Sequence, residues 1–335
     1  MIRIAVDAMG GDFGPHSTIP ASVLCLEQDD NLSIVLFGDE KVLSPFLVGL
    51  SSKISSRLSV VHCTQSVEMS DRPSYALRNK PDSSMRRALE SLRDGKVEAC
   101  VSSGSTGALM GLGCYLLKTS PGIDRPAICT AIPTVTGYSY LLDLGANVDT
   151  NSDSLYQFAM MGSVLASAVD GVASPKVALL NIGEEEVKGN EQVKLAAALL
   201  SQESMINYVG YVEGDNLYSG SADVIVCDGF VGNIALKTSE GVVKFISHLG
   251  RELFGSGVTS KLLAVAAKPL FDRLEKRINP QNHNGAYFLG LQGVVVKSHG
   301  NASAEGFAQA IHRTTECVRT NMISLLDEQL ELLAR

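Results

Sequence analysis

Residues Ala99–Met110 read ACVSSGSTGALM. Ala99–Ser102 is a short, small and apolar run that suits a strand covered on both faces. Ser103-Gly-Ser-Thr-Gly107 follows as a polar turn, and the apolar spacing from Ala108 to Leu117 predicts a helix. A strand, a glycine-rich turn and a helix in this order are the signature of an α/β fold. The free N–H groups of such a turn, with the Ser103, Ser105 and Thr106 hydroxyls, make an oxyanion site.

The same alternation runs along the whole chain. Strands are expected at Ile2–Val6, Ser33–Phe37, Ser59–His62, Ala127–Ile132, Tyr138–Leu142, Lys176–Asn181, Val224–Cys227 and Val294–Lys297. Helices are expected at Ser84–Arg93, Ser152–Val169, Gln192–Gln202, Asn233–Leu249 and Ala304–Leu333. The expectation is a two-lobed, three-layer α/β fold around a largely parallel sheet. At 335 residues the chain is long enough for about two lobes. Without a Pro/Gly/Ser linker, residues 1–335 read as one unit of interlocked lobes, with a boundary near 120–150.

Composition removes several function classes. Hydrophobic residues make up 45% and charged residues 19%, which excludes a disordered chain. A net charge of −8 and the absence of Trp argue against nucleic-acid partners. No run approaches the ~18–20 apolar residues of a membrane span. Asp7 interrupts the N-terminal apolar stretch, so that stretch reads as a first strand, not a secretion signal. The 7 cysteines are scattered without a Cys-x-x-Cys and read as reduced core residues of a cytoplasmic protein.

Motif negatives narrow the chemistry further. There is no Walker A, no complete dinucleotide fingerprint, no nucleophile elbow and no zinc spacing. No metal and no cofactor are therefore expected. Asn147, Asp149, Asn151 and Asp153 alternate like calcium ligands but lack the glycine and terminal Glu of that loop, so they read as caps and turns.

Four more stretches place chemistry at strand ends. VDAMGGD (6–12) sets Asp7, Gly10, Gly11 and Asp12 after the first strand, where open α/β sheets bind ligands. NIGEEEVKGN (181–190) carries Lys188, a point charge suited to phosphate. DGFVGN (228–233) places the Asn233 amide near a helix start, as an oxyanion donor or as a cap. VVVKSHG (294–300) ends in Lys297 and His299, a cation and a titratable ring. Together with Gly104 and Gly107 of the turn, these residues point to a reaction on a simple phosphate group.

These blocks, with SVEMSDRPSYALRNKPDSSM (66–85), Arg125-Pro-Ala127, LLDLGAN (141–147) and GAYFLGLQG (285–293), resemble the phosphate acyltransferase family. The resemblance covers most of residues 6–300. It implies a fold similar to phosphotransacetylases and to isocitrate/isopropylmalate dehydrogenases. It implies a homodimer that transfers a fatty acyl group from acyl-acyl carrier protein to inorganic phosphate, giving acyl-phosphate for phospholipid synthesis. It implies catalysis by Lys188 and Asn233, with Asp143 and Asn147 of LLDLGAN in the substrate site. One departure stands out: the family's usual Ala-Gly-Asn-Thr-Gly is Ser103-Gly-Ser-Thr-Gly107 here, so the Ser105 hydroxyl replaces an amide. The alternatives are a phosphotransacetylase using acyl-CoA, a non-catalytic scaffold for lipid-synthesis partners, and, third, a metal-dependent dehydrogenase.

An acidic carrier protein calls for a local basic surface. Residues 71–96 and residues 258–278 both carry more basic than acidic side chains. In the second, Lys261, Lys268, Arg273, Lys276 and Arg277 accompany Leu262 and Leu263 in an apolar, basic helical hairpin. That hairpin suits carrier-protein contact, weak peripheral contact with a membrane surface, or a subunit contact.

Overall fold

The computed structural model describes residues 1–255, 267–270 and 284–333. Its strands are β1 (Ile2–Asp7), β2 (Leu32–Gly38), β3 (Leu58–His62), β4 (Ala99–Ser102), β5 (Ala127–Pro133), β6 (Tyr138–Leu142), β7 (Lys176–Asn181), β8 (Asn207–Glu213), β9 (Val224–Val226), β10 (Ala286–Leu289) and β11 (Val294–Lys297). They form one 11-stranded sheet in the order β3-β2-β1-β4-β11-β10-β5-β6-β9-β7-β8. The pairings are parallel except at β11–β10, β10–β5 and β5–β6. The expected α/β class and largely parallel sheet are both present.

The helices form a layer on each face. On one side lie α1 (Pro15–Gln28), α2 (Glu40–Leu47), α3 (Ser52–Ser55), α7 (Ser152–Asp170) and α8 (Glu191–Gln202), whose apolar residues share a core with Ile4, Val6 and Leu36. The last two helices, α10 (Ala304–Arg319) and α11 (Met322–Leu333), join that layer. On the other side α4 (Pro73–Asn79), α5 (Ser84–Arg93), α6 (Thr106–Leu116) and α9 (Gly229–Gly255) pack with Ala5, Val35 and Cys100. Alternate residues of each strand thus serve opposite layers, as the period of two requires.

Strand direction decides where the loops gather. β3, β2, β1, β4 and β11 run one way, and β6, β9, β7 and β8 run the other. Their carboxyl ends therefore open at opposite rims of a flat sheet. Sheets are not flat: at roughly 20–25° per strand pair, the steps from β1 to β9 accumulate to about 120–150°. That rotation swings the two rims toward a common side.

Several expectations need correction. The single helix expected at Ala304–Leu333 is broken at Asn321, whose φ of 54° lies in the left-handed region that Asn tolerates. The helix expected from Asn233 begins earlier, at Gly229, because two glycines disfavoured by propensity are required there by close packing. Strands β8 and β10 were not anticipated. β10 is a four-residue strand between Gly285 and Gly290, too short to show a period. Of the seven cysteines, all free, six are buried and Cys114 is half-buried, as expected of core residues.

Gly162 of α7 illustrates the packing. A Cβ there would come 2.5 Å from Val224 Cγ1 and 3.1 Å from Leu142 Cδ1, on two adjacent strands. Gly162→Ala is expected to cost about 1–3 kcal/mol by overpacking. Urea unfolding of the variant checks this; a loss under about 0.5 kcal/mol would show that the α7–sheet contact yields freely.

Candidate active site

The first group of loops hangs from Asp7, at the end of β1. Its carboxylate is buried, and both oxygens are taken: Oδ1 accepts from Ser84 Oγ at 2.6 Å and Oδ2 from Ser102 Oγ at 2.7 Å. Ser102 Oγ in turn accepts from Gly104 N at 3.0 Å. Burial pushes the Asp7 carboxyl up from its ordinary value, and the two serine bonds oppose that rise. Asp7 therefore shapes the turn from within.

The two glycine-rich turns interlock. Ser103 Oγ donates to the Gly10 carbonyl at 2.8 Å, and Asp12 N donates to the Gly300 carbonyl at 2.7 Å. A Cβ on Gly10 would meet Asp7 Oδ2 and Gly104 N, each at 2.8 Å, so only glycine lets the turns approach this closely. Ser105 occupies the cap position of α6 without capping it through its side chain. Thr106 and Gly107 are exposed at the first turn of α6.

Lys297 ends β11, beside Ser102 of β4. Its Nζ donates to the Ser103 carbonyl at 3.3 Å and to the Ser298 carbonyl. Burial lowers its pKa to about 8, assisted by repulsion from Lys237 and opposed by attraction to Asp7 and Asp12. His299 follows, its backbone N–H held by Asn284 Oδ1 at 3.0 Å, and burial lowers its pKa too. Lys237, Glu240 and Lys244 of α9 are close enough to His299 to act on its charge.

The second group hangs from Asp143, one residue past β6. Oδ1 accepts from Ile128 N at 3.0 Å and Ala146 N at 3.1 Å; Oδ2 accepts from Asn147 N at 2.7 Å and Asn147 Nδ2 at 3.0 Å. Asn147 also donates to the Pro126 carbonyl at 2.9 Å and accepts Gly229 N on its own carbonyl at 2.8 Å. Burial raises the Asp143 pKa against these donors. Gly229 and Gly232 seat α9 on this loop: a Cβ on Gly232 would overlap the Asp143 carbonyl oxygen.

Asn233 lies one residue later, above Gly145, where a Cβ would sit 3.7 Å from its side chain. The capping role falls to Asp228, whose Oδ1 accepts Val231 N at 2.8 Å. The Asn233 side chain is exposed and has no hydrogen-bond partner among the described residues. Lys188 lies in the loop after β7, the strand next to β9. Asn181 Nδ2 ties that loop by donating to the Gly183 carbonyl at 3.0 Å and the Lys188 carbonyl at 3.4 Å. The Lys188 side chain is exposed, and no described residue pairs with it. Asn151 caps α7 by accepting Ser154 N at 2.8 Å, in line with the cap reading of the alternating Asn/Asp run.

Sequence reasoning missed Arg125. With Asn147, Thr150, Asn151 and Gln192 it lines a polar cavity of about 330 Å3 beside the second group. It stood in the quoted Arg-Pro-Ala, but a lone exposed Arg carries no signal without the fold. In the basic run at 71–96, Lys80 pairs with Asp71, Arg86 with Glu90, Arg87 with Asp82, and Arg93 and Lys96 with Asp94, and the run keeps its basic excess. Within 258–278 the structure describes residues 267–270, which are helical and include Lys268; Lys261, Leu262, Leu263, Arg273, Lys276 and Arg277 lie outside the described residues.

Residues 2–325 match the family model described as "Fatty acid synthesis protein". A protein of Pseudomonas putida named phosphate acyltransferase is 55% identical over 98% of this chain and 97% of its own length. The chain belongs to the phosphate acyltransferase family. The resemblance drawn from the sequence blocks is therefore borne out. Among solved structures, the EutD phosphotransacetylase from Staphylococcus aureus aligns with a TM-score of 0.61 at 17% identity, covering 95% of this chain and 94% of that one. A 4-hydroxythreonine-4-phosphate dehydrogenase from Klebsiella pneumoniae aligns with a TM-score of 0.52 at 14% identity, covering 95% and 98%. The family thus shares its fold with a phosphotransacetylase and with a dehydrogenase, and fold alone does not set the reaction.

Lys297 gives a pH test. The unfolded chain keeps this proton to about pH 10.5 and the folded chain to about 8, so the unfolded state binds more protons between them. The stability penalty of a buried ammonium is full below pH 8 and fades as pH rises toward 10.5. The stability of the wild type relative to Lys297→Met is expected to rise across that window. Denaturant melts at pH 7.5 and 9.5 check this; an unchanged difference would mean Lys297 titrates normally.

Proposed function

We propose that the chain transfers a fatty acyl group from acyl-acyl carrier protein to inorganic phosphate, releasing acyl-phosphate and the carrier thiol. The observation that carries this reading is full-length identity of 55% to a phosphate acyltransferase. Lys188 and Asn233, neither with a side-chain partner among the described residues, lie at neighbouring strand ends and support it.

The chemistry asks little of an acid or base. Phosphate is already anionic at neutral pH. One of its oxygens attacks the thioester carbonyl carbon, the carbonyl oxygen takes up negative charge, and the C–S bond then breaks. A pantetheine thiolate, with a pKa of ~8.5 if it resembles Cys, leaves readily and takes up the proton that hydrogen phosphate gives up on becoming acyl-phosphate. The protein must hold two anions together and stabilise the oxyanion. Lys188 neutralises phosphate, and Asn233 donates its amide to the oxyanion, a contribution of roughly 3 kcal/mol for one such donor. The N–H groups of the Ser103–Gly107 and Gly10–Gly11 turns orient phosphate or pantetheine. Asp12, Lys297 and His299 set the charge around them, and Asp143 and Asn147 fix the loop beneath Asn233.

The setting follows from the substrates. The carrier protein and the reduced cysteines fit the cytoplasm. No described helix is long and apolar enough to cross a membrane, and the apolar, basic stretch 258–278 suits contact with the carrier protein, a membrane surface or the partner subunit. An exposed apolar stripe on α9, Ile234, Phe245, Ile246 and Leu249, supports a homodimer.

Purified protein with palmitoyl-acyl carrier protein and inorganic phosphate is expected to release free thiol and acyl-phosphate together. Product from acyl-CoA but not from the carrier protein would make it a phosphotransacetylase, and silence with both donors from folded protein would leave a scaffold. Lys188→Ala and Asn233→Ala are each expected to lower turnover at least about a hundredfold with an unchanged melting temperature. Near-normal turnover in both would remove the two residues from the mechanism.

A further inference from the structure

Helix α9 turns Leu236, Ser239, Glu240 and Val243 toward the sheet, at the i, i+3, i+4, i+7 spacing of one helical face. A face packed on a sheet should be buried, yet these residues are only half-buried. The reason is a groove of about 510 Å3 between α9 and the end of β5. Ile132, Pro133 and Val135 form one wall, and Leu236, Val242 and Val243 form the other. The size lies within the roughly 300–1,000 Å3 of small-molecule sites, and an apolar lining with few polar groups is their usual character.

The ends of the groove are not apolar. Leu236 is one turn beyond Asn233 on the same helix, and His299 and Glu240 line the groove itself. His299 follows Lys297, which holds the Ser103 turn. The groove therefore touches the loop after β11 at His299 and begins one helical turn along α9 from Asn233.

We infer that this groove holds the hydrocarbon chain of a long-chain acyl donor, with its thioester at the Asn233 end. The inference rests on the acyl-transfer reading above. A long saturated chain needs an apolar slot that opens beside anion-binding groups, and this slot does. An acetyl-sized donor would leave most of it unfilled. Val242 on the groove wall is 49% exposed and adjoins the stripe of Phe245, Ile246 and Leu249, so the test below also reads subunit contact.

The test compares palmitoyl- and butyryl-acyl carrier protein as donors to inorganic phosphate. Val243→Trp fills the groove, and Val135→Trp, at a position 69% exposed, narrows it without touching the core. Burying one methylene is worth about fourfold in binding, so loss of a few should lower the palmitoyl-to-butyryl ratio of kcat/KM at least about tenfold. If Val243→Trp does not fold, Val135→Trp carries the test alone. A ratio within about twofold of wild type in folded variants would overturn the inference. The same ratio with a changed mass in light scattering would assign the groove to a subunit contact and overturn it too. If wild type turns over neither donor, the acyl-transfer reading fails separately, and calorimetric binding of palmitate reads the groove directly. Weaker binding to Val135→Trp would then support the groove, and binding equal to that of wild type would sink it.

Discussion

Asp7 and Asp143 are carboxylates buried beside the ends of strands, and the loops around the site hang from them. Each is surrounded by donors drawn from distant parts of the chain. Asp7 ties β1 to α5 and β4, while Asp143 ties the end of β6 to β5 and, through Asn147, to the start of α9. A buried charge left without these donors would be costly, so each loop is held to one arrangement. Among the described residues, the side chains of Lys188 and Asn233 have no hydrogen-bond or ion-pair partner. Buried acids fix the frame, and Lys188 and Asn233 stay exposed beside it.

The position of α9 joins the two halves. It starts on the Asp143 loop and extends to His299, on the loop after β11. Strands that run in opposite directions would normally place their terminal loops far apart. The twist of a wide sheet turns that separation into convergence. One helix then spans the interval and supplies both an amide at its beginning and an apolar face along its length.

Much of this was legible in the sequence. The strand–turn–helix units showed themselves because buried parallel strands are continuously apolar and their turns are rich in glycine. The family could be read from blocks in order. What the sequence hid depended on partners far away in the chain. Asp7 read as a ligand anchor, and only the fold shows Ser84 and Ser102 occupying its oxygens. Asn233 read as a possible cap, until Asp228 proved to hold that place. The sequence pattern starts the helix at Asn233, because propensity does not know that the Asp143 loop presses against Gly229 and Gly232. Arg125 and the groove along α9 are properties of surfaces that no local pattern encodes.

The order of the strands has a consequence for synthesis. β4 and β5 are consecutive in the chain, but in the sheet β11 and β10 lie between them. The last strands to leave the ribosome are therefore the middle of the sheet, not its border. Until residues 286–297 emerge, each half presents an open, hydrogen-bonding flank where the other should join. Such long-range closure is slow by nature and leaves the nascent chain exposed to misassembly. A truncation before residue 286 would not trim the molecule but remove the seam that holds its halves together.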